Sequence, residues 1–138
     1  MPATGKISHN LAIFKDNFFT AWSEVFSWSF SRLYAIVAVV LNLLAWLGTV
    51  LIFRSLGNEL TVLHYNIDFG IDLVGHRGQL FFNPILGLVL ILLNLILILL
   101  LARHKDFKFI AYLLWATAVL VNVFLLLAVL AVYLINFR

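Results

Sequence analysis

Six side chains able to ligate a divalent cation crowd into residues 59–76: Glu59, His64, Asn66, Asp68, Asp72 and His76. Imidazole nitrogens and carboxylate oxygens together suit zinc and related metals, so spacing decides whether they form a site. Between Val62 and Val74 the apolar residues Leu63, Tyr65, Ile67, Phe69, Ile71 and Leu73 fall at every second position, and His64, Asn66, Asp68 and Asp72 take alternate places around Gly70. A period of two describes an extended strand with one apolar and one polar face. Neighbouring polar residues on such a face stand roughly 6.5–7 Å apart, too far for three of them to reach one ion unless the strand bends. Gly70 is the residue that would allow a bend. His64, Asp68, Asp72 and His76 are therefore the metal candidates, but a solvated polar face with Tyr65, Phe69 and Leu73 packed beneath it is the simpler reading. No metal or other cofactor is expected. No cysteine exists, and no serine or threonine nucleophile stands among these groups in a recognisable arrangement, so no catalytic residues are expected either.

What the strand does require is a partner for its backbone N–H and C=O groups. That partner is a second strand within 74–83, where Gly75, Gly78 and Asn83 mark turns, or another protein, or another copy of the chain. His64, Tyr65, Asn66, Asp68, Phe69, Gly70 and Asp72 thus form the candidate binding segment.

The elements that position this segment are set by composition. Hydrophobic residues make up 64% of the 138-residue chain and charged residues 11%. Soluble domains carry roughly 45–50% and about 25%. So few charges cannot cover so much apolar surface in water, which predicts an all-α integral membrane protein forming a single membrane domain. Residues 1–10 read as a loose start. Residues 11–30 carry Leu11, Phe14, Phe18, Ala21, Trp22, Val25 and Phe26 at helical spacing, with Lys15, Asp16, Ser23 and Glu24 between them; this suits an amphipathic helix lying in the headgroup boundary. Charge-free runs at 33–53, 84–102 and 109–135 each reach the length of about 20 residues needed to span a bilayer. Asn83-Pro84 is read as the N-cap and first residue of the second span. Residues 103–108 make a tight polar turn with Asp106 as N-cap of the third. Residues 54–83 form the external segment.

Each span carries one asparagine: Asn42, Asn94 and Asn122. A primary amide in hydrocarbon must find partners. Ala35, Ala38, Asn42, Ala45 and Thr49 make a small-residue stripe on the first helix; Gly87, Ile91 and Asn94 line the second, and Ala111, Trp115, Ala118 and Asn122 the third. The expectation is interhelical packing through these amides, with Asn42 and Asn94 at similar depth and Asn122 about two turns above Asn94. A polar route for an ion or solute is the competing reading, although no ionisable group lies within the spans. Basic residues gather on the N-terminal side (Lys6, Lys15, Arg32) and in the 103–108 turn (Arg103, Lys105, Lys108), against Arg54 and Arg77 between the first two spans. The positive-inside rule puts the N-terminus inside and the C-terminus outside the cytoplasmic membrane. These basic groups flank spans, so nucleic acid is not an expected partner; the lipid bilayer is one, with self-association or a larger membrane complex the other.

The run His64-Tyr65-Asn66-Ile67-Asp68-Phe69-Gly70-Ile71-Asp72-Leu73-Val74-Gly75 resembles the loop between the first two spans of uncharacterised small three-span bacterial membrane proteins. The resemblance implies architecture and no activity. A fainter similarity links His64-Tyr65-Asn66, Gly70 and Asp72 to bacterial immunity and signalling membrane proteins whose external loop carries His-Phe-Asn; their prolines before the histidine are missing here. The expected function is that of a non-enzymatic accessory subunit or scaffold acting by protein binding. A transport or channel component and a metal-dependent external site are the alternatives.

Overall fold

The computed structural model describes residues 16, 18–56, 60–66, 70–102 and 104–137, with backbone alone at 60, 64–66 and 70–72. A helix over residues 18–27 (α1) bends at Trp28 into α2 (Ser29–Ser55). A β-hairpin follows, β1 (Leu60–Asn66) and β2 (Gly70–His76), then a 3-10 turn over Arg77–Phe81 that runs straight into α3 (Phe82–Leu100). A short turn leads to α4 (Phe107–Phe137). Three helices are long and apolar enough to cross a membrane, α2, α3 with its 3-10 turn, and α4. The chain is an all-α, multi-pass membrane protein with one small sheet.

The bundle buries small and polar residues and turns its large aliphatic side chains outward. Ser31, Ala38, Asn42, Ala45, Thr49 and Ile52 are the buried positions of α2; Pro84, Gly87, Ile91, Asn94 and Ile98 those of α3. On α4 they are Phe107, Ala111, Trp115, Ala118, Asn122, Val129 and Val132. Leu43, Leu47, Leu88, Leu92, Leu120 and Phe124 are exposed. Lipid tails are as apolar as leucine, so sequestering leucine gains little there, whereas close backbone approach and satisfied amides hold helices together. Buried positions recur at sevens: Ser31, Ala38, Ala45 and Ile52; Pro84, Ile91 and Ile98; Trp115, Asn122 and Val129. That repeat keeps one seam facing the partner only if the helices wrap left-handed around each other. α4 packs along both other spans and is the centre of the bundle.

Four expectations from the sequence are corrected. The single strand over 62–74 is two strands: the chain reverses between Asn66 and Gly70, pairing Asn66 with Gly70, Tyr65 with Ile71, His64 with Leu73 and Val62 with Val74, with irregularities on either side of His64. A two-residue period looks the same along one long strand and along two strands joined by a short turn. The partner of β1 is therefore β2, and residues 77–82 are helical. Second, Asn83 is not the N-cap of α3. The 3-10 turn feeds the helix from Phe81, so Asn83 and Pro84 sit inside its first turn, where a missing N–H costs nothing. Third, the first span begins at Ser29, four residues before Leu33, because the break falls at Trp28, whose backbone is extended (φ −79°, ψ 115°). Fourth, α1 does not present all its apolar positions to the bilayer. Ala21 and Val25, one turn apart, are buried in the same cluster as Ile98, Ala102 and Phe107, while Phe18, Phe19 and Trp22 remain exposed. The helix caps the end of the bundle where α3 turns into α4.

Candidate functional site

The buried amides bind the three spans together. Asn42 Nδ2 on α2 donates to Asn122 Oδ1 on α4 at 3.0 Å and to the Pro84 carbonyl on α3 at 3.0 Å. Asn122 Nδ2 donates back along its own helix to the Ala118 carbonyl, 2.9 Å. Gly87 is the reason two amides fit here: a Cβ on it would strike both Asn122 Oδ1 and Asn42 Nδ2. Asn94 lies elsewhere, donating from α3 to the Leu114 carbonyl of α4 at 2.8 Å. Beside it the indole of Trp115 donates to Ser31 Oγ at 2.8 Å. Asn42 is thus level with Asn122 rather than with Asn94. Counting its depth from Leu33 omitted the first turn of α2. Asn122 does lie two turns above the Leu114 level, since eight residues rise about 12 Å.

At the other end of the bundle the hairpin is fastened to α4. With 31 residues α4 is about 46 Å long, against a hydrocarbon core of about 30 Å, so its last turns reach the level of the hairpin. There Asn136 acts as a one-residue strand. Its Oδ1 accepts the Val62 N–H (3.2 Å) and its Nδ2 donates to the Val62 carbonyl (2.9 Å). Nδ2 also reaches the Val132 carbonyl at 2.9 Å. A side-chain amide carries the same donor and acceptor as a peptide group, so β1 is paired at Val62 on its inner edge without another strand. Arg77 adds a second fastening: its Nη1 donates to the Leu56 carbonyl (3.2 Å) and its guanidinium lies 4.5 Å from the centre of the Phe53 ring. Leu80 is buried with Ala45, Ile52, Val129 and Val132.

β1 rests on α4 and on the 3-10 turn, whereas β2 lies outboard against β1 and that turn. Leu73 and Val74 are 52% and 51% exposed; as neighbours on a strand they face opposite sides of the sheet. Both hairpin faces therefore carry unburied aliphatic surface at β2.

Of the proposed segment, His64, Tyr65 and Asn66 lie on β1, and Gly70 and Asp72 on β2. Asp68 and Phe69 lie outside the described residues, as does Glu59. The reversal brings the backbone of Asp72 back beside His64 and Tyr65, an approach that a single strand does not allow. His76 is exposed and pairs in register with Leu60. Among the described residues no three His, Asp or Glu side chains come together as a metal site. Two features escaped the sequence reading. Ser31 carries its signal in the seven-residue spacing to Ala38. Asn136 lies two such intervals beyond Asn122, past the end assigned to the third span. No family model, curated protein or solved structure matches this chain.

Proposed function

We propose that this chain is a non-enzymatic membrane accessory subunit or scaffold, which binds another protein or another copy of itself through its hairpin, with the N-terminus inside and the hairpin outside the cytoplasmic membrane. The observation that carries this reading is the asymmetry of the hairpin. Its inner strand is pinned by Asn136, and its outer strand offers an edge that no strand among the described residues pairs with, with Leu73 and Val74 exposed. Exposed edges and aliphatic patches are what proteins hide unless something covers them. Tethering β1 at Val62 through Asn136 lowers the conformational entropy that association at the hairpin costs.

A polar route through the bundle is less well supported, because Asn42, Asn94 and Asn122 spend donors on helix carbonyls and on one another. The test is extraction into polymer-bounded native membrane discs followed by mass measurement. The expected wild-type particle holds a second polypeptide in fixed ratio, and Leu73→Lys with Val74→Lys releases it while the spans stay folded. A wild-type particle containing one copy of this chain and no other protein would overturn the proposal.

A further inference from the structure

At the end of the bundle opposite the hairpin, α1 and the start of α4 face each other across a cleft of about 550 Å³. One wall brings Lys105 and Lys108; the other brings Glu24. Glu24, Lys105 and Lys108 form no ion pair among the described residues. Asp106, the remaining acid of the cleft, stands with His104: its carboxylate Oδ2 is 3.8 Å from His104 Nδ1 and its backbone N–H is 3.3 Å from the same nitrogen. Asp106 thus stands beside His104, and among the described residues it forms no ion pair with either lysine.

The cleft is therefore dipolar. Its α4 wall carries Lys105 and Lys108 with Asp106 between them at the start of the helix, and the facing wall, among the described residues, carries the Glu24 carboxylate. It also lies at headgroup depth, where α3 ends at Leu100 and α4 begins at Phe107, with the exposed ring of Phe109 at its margin. An occupant must match two charges of opposite sign and carry an apolar tail into the bilayer.

We infer that this cleft is a binding site for a phosphoethanolamine phospholipid headgroup, with Lys105 and Lys108 taking the phosphate and Glu24 the primary ammonium. A primary ammonium offers N–H donors to the carboxylate, which a quaternary ammonium lacks, and a headgroup that is only anionic leaves Glu24 repelled. The inference is independent of the hairpin reading.

The experiment is native mass spectrometry of the full chain in neutral detergent, supplied with an equimolar mixture of phosphatidylethanolamine, phosphatidylglycerol and phosphatidylcholine. Wild type retains phosphatidylethanolamine preferentially. Lys105→Gln with Lys108→Gln lowers retention of every phospholipid by about tenfold or more, and Glu24→Gln lowers the preference for phosphatidylethanolamine by about fivefold while leaving phosphate-dependent retention in place. All three side chains are exposed, so unchanged thermal melting confirms that the variants fold. Equal retention of the three lipids by wild type, preference for phosphatidylglycerol, or indifference to the charge substitutions would each overturn the site. Soluble phosphoethanolamine competing as well as the lipid would overturn the lipid as its source.

Discussion

Gly87→Ala is the sharpest probe of the amide layer, because helix propensity and packing demand opposite results. In an ordinary helix interior the exchange stabilises by about 1 kcal/mol. Here the new methyl group would occupy the space where Asn42 Nδ2 and Asn122 Oδ1 meet, and would come within 3.2 Å of Leu125 Cδ1. Either the amides move or the helices part. Moving the amides forgoes the bonds from Asn42 to Asn122 and to Pro84, worth about 0.6 kcal/mol each on average and up to about 1.7 in membrane proteins. Keeping them forces an overpacked contact that costs about 1–3 kcal/mol. Set against the propensity gain, either route leaves a net change of about 0–2 kcal/mol in the destabilising direction, in place of the gain of about 1 kcal/mol. Unfolding in mixed micelles at rising denaturing-detergent fraction, followed by tryptophan fluorescence, measures it. A second background supplies the control. With Asn42→Ala one of the two struck amides is gone and Asn122 loses the donor that holds its Oδ1 there, so the cost of Gly87→Ala should shrink. A Gly87→Ala protein more stable than wild type by about 1 kcal/mol, or an equal change in both backgrounds, would refute the reasoning.

Asn136→Leu removes both bonds to Val62 and should raise hydrogen exchange at Val62 by at least about tenfold while leaving the spans protected; unchanged exchange would show that Asn136 does not hold the hairpin. Thr49 and Thr61 are each 1% exposed with hydroxyls that meet no partner among the described residues, so Thr49→Val and Thr61→Val should each leave stability unchanged or raise it by about 1 kcal/mol. A loss of 1 kcal/mol or more in the same micelle titration would mean that those hydroxyls have partners. Trp115→Phe deletes the indole donor to Ser31 and should cost about 1 kcal/mol, with Ser31→Ala adding little on top of it; additive losses would refute the pairing. Reporter fusions after Gly57 and after Lys105 test orientation: the first should report the outside and the second the inside of the membrane.

How far the fold could be read ahead depended on which force acted locally. The spans were legible because each is a charge-free run of sufficient length, a requirement imposed by lipid and indifferent to detail. The buried stripes on α2, α3 and α4 were legible too, since Ala38, Asn42, Ala45 and Thr49 differ in size and polarity from the leucines around them. Depth was harder. The start of α2 depends on a backbone bend at Trp28, and nothing in that residue type requires it, so a first-turn error placed Asn42 beside Asn94. The hairpin was half legible: alternation reported extended chain, but a reversal at odd spacing preserves alternation and hides itself. Asn136 was missed because one asparagine near a helix end usually frays into solvent or caps; its pairing with Val62 depends on α4 outrunning the bilayer, a tertiary fact. The metal reading rested on intervals along one strand, and the reversal changes those intervals for Asp72 against His64 and Tyr65.

Protein binding at the hairpin is tested most directly by site-specific photocrosslinking in native membranes, with a photoreactive residue at Val74 and a control at the lipid-facing Leu88. The expected result is one discrete protein adduct from Val74, absent from Leu88 and lost when Asn136→Leu releases the hairpin. Lipid adducts alone at both positions would contradict it.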